Sequence, residues 1–359
     1  MMSMTSPSPT SGWAVVEMMG DDRTLIFDEH EPKGFTGINR PNIGGRSRRN
    51  SIGKALNTLA LDIKAGEDQP QLDRDGVRLT ALPVMGPVRD CEPYAAQVWV
   101  TPTDDPTPLH PRTIGTMLWD PRNNGSGADP ITYHHPITDG TILGYDPPQE
   151  ERVSSQIFRH YQKYPQEHVL GPWVRGIMSG HIPTRETFND VLDITRVNGD
   201  LLRVHVAMRA VKLDGTYVIR GVIHDISDFQ SPVAWSGFDK QTARAAIRAF
   251  AGEDGDKGCG HVNFATGIVL EWIIKPPGAL GVWEKQNAQW DDEELYFSNL
   301  ERAKNGERIS FTANIRFSDG SPHLISATIV PANPGDSGNG LLIVNETDDD
   351  DPSAFHPLW

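Results

Sequence analysis

A hairpin occurs twice in this chain, and the distance between its copies constrains the fold more than any other feature. Asn198 to Ala210 (NGDLLRVHVAMRA) has a counterpart in Asp319 to Pro331 (DGSPHLISATIVP), 121 residues further on. At the same offset Asp225-Ile226-Ser227 falls on Glu346-Thr347-Asp348, where a second strand ends in each copy. Identity is low, but both copies share a turn, a long strand, a second turn, a second strand and a polar stop. A unit of this length is a duplicated domain, because solenoid repeats run to only ~20–50 residues.

Two copies leave room for a further domain in 359 residues. A hydrophobic content of 37%, with nine Trp and twelve Phe, is enough for real cores. The net charge of −15 argues against nucleic acid and anionic membrane as main partners, since both require clustered Lys and Arg. One basic cluster, Arg46-Ser47-Arg48-Arg49, sits in a Gly/Asn-rich stretch and reads as a solvated loop, with a docking or phosphorylation site near Ser51 as the alternative. Cys91 and Cys259 are far apart in sequence and read as reduced thiols in different domains. The first eleven residues are rich in Ser, Thr and Pro, without the basic start and apolar run of a signal peptide. No run of about 18 apolar residues offers a membrane span. The expectation is a cytoplasmic protein without membrane insertion.

Three domains are expected, at 12–120, 130–228 and 237–348, followed by an acidic and apolar tail at 349–359. In the first, Trp13–Met19 and Thr24–Phe27 read as a strand pair, 33–50 as a long loop, and Ile52–Lys64 as a helix. Ser51 is its expected cap, Gly66 its stop, and Ile52, Ala55, Leu56, Leu59, Ala60 and Ile63 its apolar face. Val77–Met85, Ala95–Val100 and Thr113–Trp119 read as further strands. Asp120–Pro130, rich in Asn, Gly, Asp and Pro, reads as a linker. Next come a front strand at Thr141–Gly144, matched with Thr266–Glu271, and helical stretches at Glu150–Lys163 and Trp173–Met178. The third domain matches these with Glu293–Lys304. Each repeat then closes with three strands, 187–197, 201–211 and 216–226, and 308–317, 322–331 and 340–346. Asn198-Gly199 and Asp319-Gly320 mark hairpins within each trio. Asp228–Ser236 reads as a linker and Asp239–Phe250 as a helix between the repeats. The fold class is α+β, with three tandem antiparallel sheets and flanking helices.

A front strand, short helices and three antiparallel strands joined by an Asx-Gly turn and ending in Asp225-Ile226-Ser227 resemble a PAS domain. The likeness covers 131–228 well and 260–348 less closely. The N-terminal domain is similar to a GAF domain. The order GAF-like, PAS, PAS without an output domain resembles a mycobacterial-type tandem sensor family of actinobacteria. That resemblance implies a sensing or signalling role and brings no reaction, cofactor or established ligand with it. PAS and GAF domains often dimerise, so a homodimer is an expectation, although no long heptad stretch marks a contact.

Such a sheet leaves a small apolar pocket beneath its helices. The candidate lining is Val204, Val206 and Met208 with Ile219, Gly221 and Ile223, and in the last domain Ile325, Ala327 and Ile329 with Leu341 and Ile343. The plainer reading is that these side chains only fill a core, because alternating aliphatics mark any half-buried sheet.

Other chemistry finds less support. Gly335-Asp336-Ser337-Gly338-Asn339-Gly340 resembles the nucleophile segment of trypsin-like proteases, but the Ala-Ala-His-Cys segment that carries their base is absent, and the position between two strands explains it as a hairpin loop. Twelve histidines invite a metal reading. His134 and His135 are adjacent and would chelate poorly, whereas His205 and His224 lie on neighbouring strands and could approach each other. A helix histidine such as His160 or His168 would be needed for PAS-type haem. Cys259, in Lys257-Gly258-Cys259-Gly260, does not match the reactive cysteine segment of light-sensing flavin domains. No cofactor and no metal are expected. The function expected is non-enzymatic sensing of a small ligand, a protein or both, coupled to a separate output protein. The rivals are a closed interaction scaffold and, less well supported, a hydrolase using Ser337 or a metal at His205 and His224.

Overall fold

The structure is a computed structural model and describes residues 11–39, 41–43, 48–104, 110–120, 131–158, 160–161, 170, 173–174, 176–177, 186–233, 256–264, 267–284, 288–317, 319–333 and 336–347. It divides into two compact units, the first drawn from 1–119, 133–150 and 184–233 and the second from 120–132, 151–183 and 234–359. Three antiparallel sheets are found among the described residues. The expected helix at 239–250 and the tail at 349–359 lie outside them.

The first unit opens with β1 (Gly12–Glu17), β2 (Thr24–Glu29) and β3 (Glu31–Gly37), then α1 (Arg49–Lys64), β4 (Gln71–Arg74), β5 (Val77–Met85) and β6 (Pro93–Pro102). These strands form the first sheet in the order β3-β2-β1-β6-β5-β4. α1 buries the face its periodicity assigns, Ile52, Ala55, Leu56, Leu59, Ala60 and Ile63, on Ala14, Val16, Leu25, Leu79, Ala81, Val98 and Val100. The helix starts earlier than its pattern suggests, so Ser51 lies inside the first turn, where its hydroxyl donates to Arg48 O at 2.9 Å, and it is not the cap. Gly66 follows the helix with φ +98°, and its N–H donates to Ile63 O at 3.0 Å. Part of the stretch read as a loop is the edge strand β3. Its side chains are mostly exposed or half-buried and lack the apolar alternation that marks a strand in sequence.

The second sheet of the same unit uses β7 (Ile114–Trp119), β8 (Ile131–His134), β10 (Thr187–Thr195), β11 (Leu201–Leu213) and β12 (Thr216–Asp225), in the order β10-β11-β12-β7-β8. β9 (Glu151–Val153) and α2 (Ser154–Phe158) begin the stretch assigned to the second unit. β7 is the first correction to the sequence reading. Placed there with the first domain, it pairs antiparallel with β12, with Gly221 opposite Met117 and Ile223 opposite Gly115. A strand joins whichever sheet offers its hydrogen-bond edge, and that choice leaves no trace in local composition. The expected front strand at 141–144 is a second correction, because Ile137–Ile142 is a π-helical turn.

The second unit contains β13 (Gly258–Asn263), β14 (Val269–Ile274), a 3-10 turn (Gly278–Glu284), β15 (Gln289–Trp290), α3 (Glu293–Lys304), β16 (Ile309–Arg316), β17 (Pro322–Asn333) and β18 (Asp336–Glu346). The third sheet runs β14-β13-β18-β17-β16-β15. Strand for strand, β16-β17-β18-β13-β14 repeats β10-β11-β12-β7-β8. The register repeats as well: Val204 faces Asp225 as Ile325 faces Glu346, and Val206 faces Ile223 as Ala327 faces Val344. Each of those positions moves by the 121 residues that separate the two hairpins. The Asx-Gly turns hold as read, with φ +93° at Gly199 and +77° at Gly320, a conformation glycine adopts at no steric cost. Asp336–Gly340 open β18, with Asp336 opposite Asn333, so most of the Gly-Asp-Ser-Gly segment is strand where a loop was expected.

Among the described residues no helix is long and apolar enough to cross a membrane. Cys91 is exposed, Cys259 is buried and both are free.

Candidate functional site

The second sheet is buried on both faces, and the two faces differ in chemistry. One carries the candidate lining. Val204, Val206, Met208, Ile219 and Ile223 are all buried there, flanked by Met117 and Trp119 from β7. The π-helical turn closes down on this face at Gly115, where an added Cβ would lie 2.9 Å from Thr138 Cα. Thr138 Oγ1 donates to Thr116 O at 2.7 Å. Inside the turn Asp139 lies 3.4 Å from His134 Nδ1 and accepts from Gln149 N at 2.7 Å. Gly115→Ala is expected to destabilise the first unit by about 1–3 kcal/mol in denaturant unfolding, because the new methyl meets backbone that cannot move aside alone.

In the third sheet Ile325, Ala327 and Ile329 are fully buried in one apolar cluster. The neighbours beside them are Leu342 and Val344, where the sequence reading named Leu341 and Ile343. Successive side chains of a strand point to opposite faces, and Leu341-Leu342-Ile343-Val344 are all aliphatic, so nothing local fixes which pair turns inward. Aromatic rings complete this cluster. Trp290 stacks on Tyr296 at 3.9 Å between centroids, and Trp283 makes edge contacts with Trp290 and Phe317. Tyr296 Oη donates to Gly267 O at 2.8 Å, and burial pushes its phenol far above the usual range.

The other face of the second sheet meets the first sheet. His205, Ala207 and Arg209 from β11 and Arg220, Val222 and His224 from β12 point into this seam by register. Ala207 and Val222 pack there with Trp13, Val15, Phe27 and Tyr94 of the first sheet. Each arginine of the seam donates twice to one carboxylate, and Glu186 and Glu92 lie near Arg209 and Arg220 at 3.8 and 3.2 Å. Arg209 donates to both Glu17 oxygens, at 2.9 and 2.8 Å, and Glu17 also accepts from Met19 N and Thr24 Oγ1, each at 2.7 Å. Arg220 donates to both oxygens of Asp90, at 2.7 and 2.8 Å, and Tyr94 Oη donates to the same carboxylate at 2.6 Å. Arg112 donates to both oxygens of Asp228, to Asp225 O at 2.8 Å and, through Nε, to His224 Nε2 at 3.0 Å. Sequence reading missed these three pairs. The available signal was Trp13-Ala14-Val15-Val16, a continuous apolar run, which marks a strand covered on both sides.

His205 and His224 do approach each other, as direct cross-strand partners with 1% exposure each. Burial lowers the His205 pKa to about 4. Burial, the Arg112 guanidinium and then His205 hold His224 well below its ordinary value. Both rings are therefore neutral at pH 7. Because Arg112 donates to Nε2 of His224, the ring proton sits on Nδ1. His224 then has no lone pair to offer toward His205, and a cation between the rings would lie close to a guanidinium. The donor set does not suit a metal. Among the described residues no group of three or more His, Cys, Asp or Glu side chains is placed to hold one. His160 is buried, and His168 lies outside the described residues.

Neither a protein-family model nor a curated protein sequence matches the chain. Among solved structures, an uncharacterised protein from Mycobacterium tuberculosis is similar over 94% of this chain and 97% of its own, with 16% identity and a TM-score of 0.62. A sensory box histidine kinase/response regulator from Burkholderia thailandensis matches over 40% of this chain and 90% of its own, at 17% identity and a TM-score of 0.23. A blue-light activated histidine kinase from Erythrobacter litoralis matches over 66% and 95%, at 11% identity and a TM-score of 0.24. The first of these likenesses shows a shared fold over nearly the whole chain.

Proposed function

We propose that the chain is a non-enzymatic sensor of the tandem GAF–PAS–PAS kind, akin to the mycobacterial-type family its sequence resembles, acting through a separate output protein. The observation that carries the reading is the duplicated sheet with one strand order and one register, each copy presenting a buried aliphatic face. A ligand held on the Val204, Val206 and Met208 face would shift the population of two arrangements by binding one of them more tightly. The test is native mass spectrometry on protein purified from its own host. A retained small molecule, lost in Val206→Phe while the fold persists, is the expected result. Absence of any retained molecule, together with no partner in pull-downs, would sink the proposal.

A second reading, a constitutive interaction scaffold with closed cores, draws on the aromatic packing beneath the third sheet. Under it the same preparation retains a protein partner and no small molecule.

A further inference from the structure

The seam between the first and second sheets is built around two neutral histidines. From the geometry we infer that the His205–His224 pair makes docking of these two sheets proton-sensitive, a clasp that loosens as the medium acidifies. The two rings lie side by side across β11 and β12, with Phe27 edge-on to His224 at 4.5 Å and Arg112 donating into it. Protonating both would place two cations next to a third, in a space walled by Phe27 and Phe229.

The carboxylates of the elements packed around the pair are already engaged. Glu17 of β1 is held by Arg209, and Asp90 by Arg220. Asp228 is held by Arg112, and Asp193 of β10 by Arg203. Asp28 of β2 accepts from Asn42 N and Ile43 N, and Asp225 from Ser227 N. His30 packs on Phe229. The hydrogen bond from Arg112 holds the Asp228 carboxyl below its ordinary value, so it stays ionised over the range that matters here.

The sign follows from linkage. A histidine whose docked pKa is depressed takes up a proton when the seam opens, so docking is strongest above the exposed pKa of about 6.5 and weakens as pH falls toward the docked value. For His205 alone, with a docked pKa of about 4, opening at pH 5 rises about 30-fold over pH 7.5, and His224 adds to this in the same direction.

The experiment uses the full chain with Cys91→Ser and Cys259→Ala, so that Ala207→Cys, at a seam position with no exposure, is a single reporter. Labelling by an uncharged thiol reagent, corrected for thiolate fraction, should rise about 30-fold or more between pH 7.5 and pH 5. A companion reporter, Ala60→Cys in the α1 core, should not follow it. Adding His205→Gln and His224→Gln should remove the rise. No rise in the first reporter, an equal rise with both glutamines present, or an equal rise at Ala60→Cys would each overturn the inference. If the double glutamine variant does not fold, His205→Gln alone decides, with an expected loss of about 30-fold of the rise. If Ala207→Cys disturbs docking at pH 7.5, Val222→Cys, likewise fully buried in the seam, takes its place.

Discussion

Glu17→Ala is expected to destabilise the first unit by about 3–5 kcal/mol, because it strands the Arg209 guanidinium in a buried seam. Glu17 has no exposure and accepts four hydrogen bonds, two from Arg209, one from Met19 N and one from Thr24 Oγ1. Removing it leaves all four donors short of a partner, and the desolvation cost of each remains. Glu17→Leu combined with Arg209→Met should recover most of the loss, since an apolar pair of similar volume avoids desolvating two charges. Urea unfolding of the single and double variants, followed by circular dichroism, checks both statements through a double-mutant cycle. If Glu17→Ala costs less than about 1 kcal/mol, the pair contributes no more than an exposed one and the account of the seam fails.

Trp290→Ala should cost about 3–5 kcal/mol in the second unit, in the range measured for deleting a buried indole. Trp290 is 8% exposed, stacks on Tyr296 and lies 5.9 Å from both Trp283 and Phe311, so a void there has rings on several sides that cannot all close in. Trp290→Phe keeps one ring of the stack and should retain more than half of the stability. Thermal unfolding followed by near-UV circular dichroism checks this, because the packed rings of the second unit contribute to that signal. A small effect of the alanine variant would mean that the core beneath the third sheet collapses easily, which would weaken the scaffold reading.

The duplicated architecture was legible because its signals are local. Asx-Gly turns fix hairpins, and the alternation at Val204, Val206 and Met208 and at Ile325, Ala327 and Ile329 fixes which side chains point inward. The helical face from Ile52 to Ile63 was legible for the same reason, since residues three and four apart share one side of a helix. Where alternation disappears, the reading slipped. Leu341 to Val344 are aliphatic throughout, and the inward pair came out one residue off. β7 was assigned to the wrong sheet because its composition suits either one.

The polar seam was beyond such reading. Arg209 and Glu17 lie 192 residues apart, and Arg220 and Asp90 lie 130 apart. On a lone sheet His205, Arg209, Arg220 and His224 would form its solvent side, and their alternation with Val204, Val206, Met208, Ile219 and Ile223 looks like that of any half-exposed strand. By itself the sequence determined the repeat, the turns and the aliphatic face of each copy, because each depends on periodicities of a few residues. Only the tertiary structure decided that the polar face is buried as well. Burial of that face depends on another sheet arriving from elsewhere in the chain, with carboxylates such as Glu17 and Asp90 placed against its arginines.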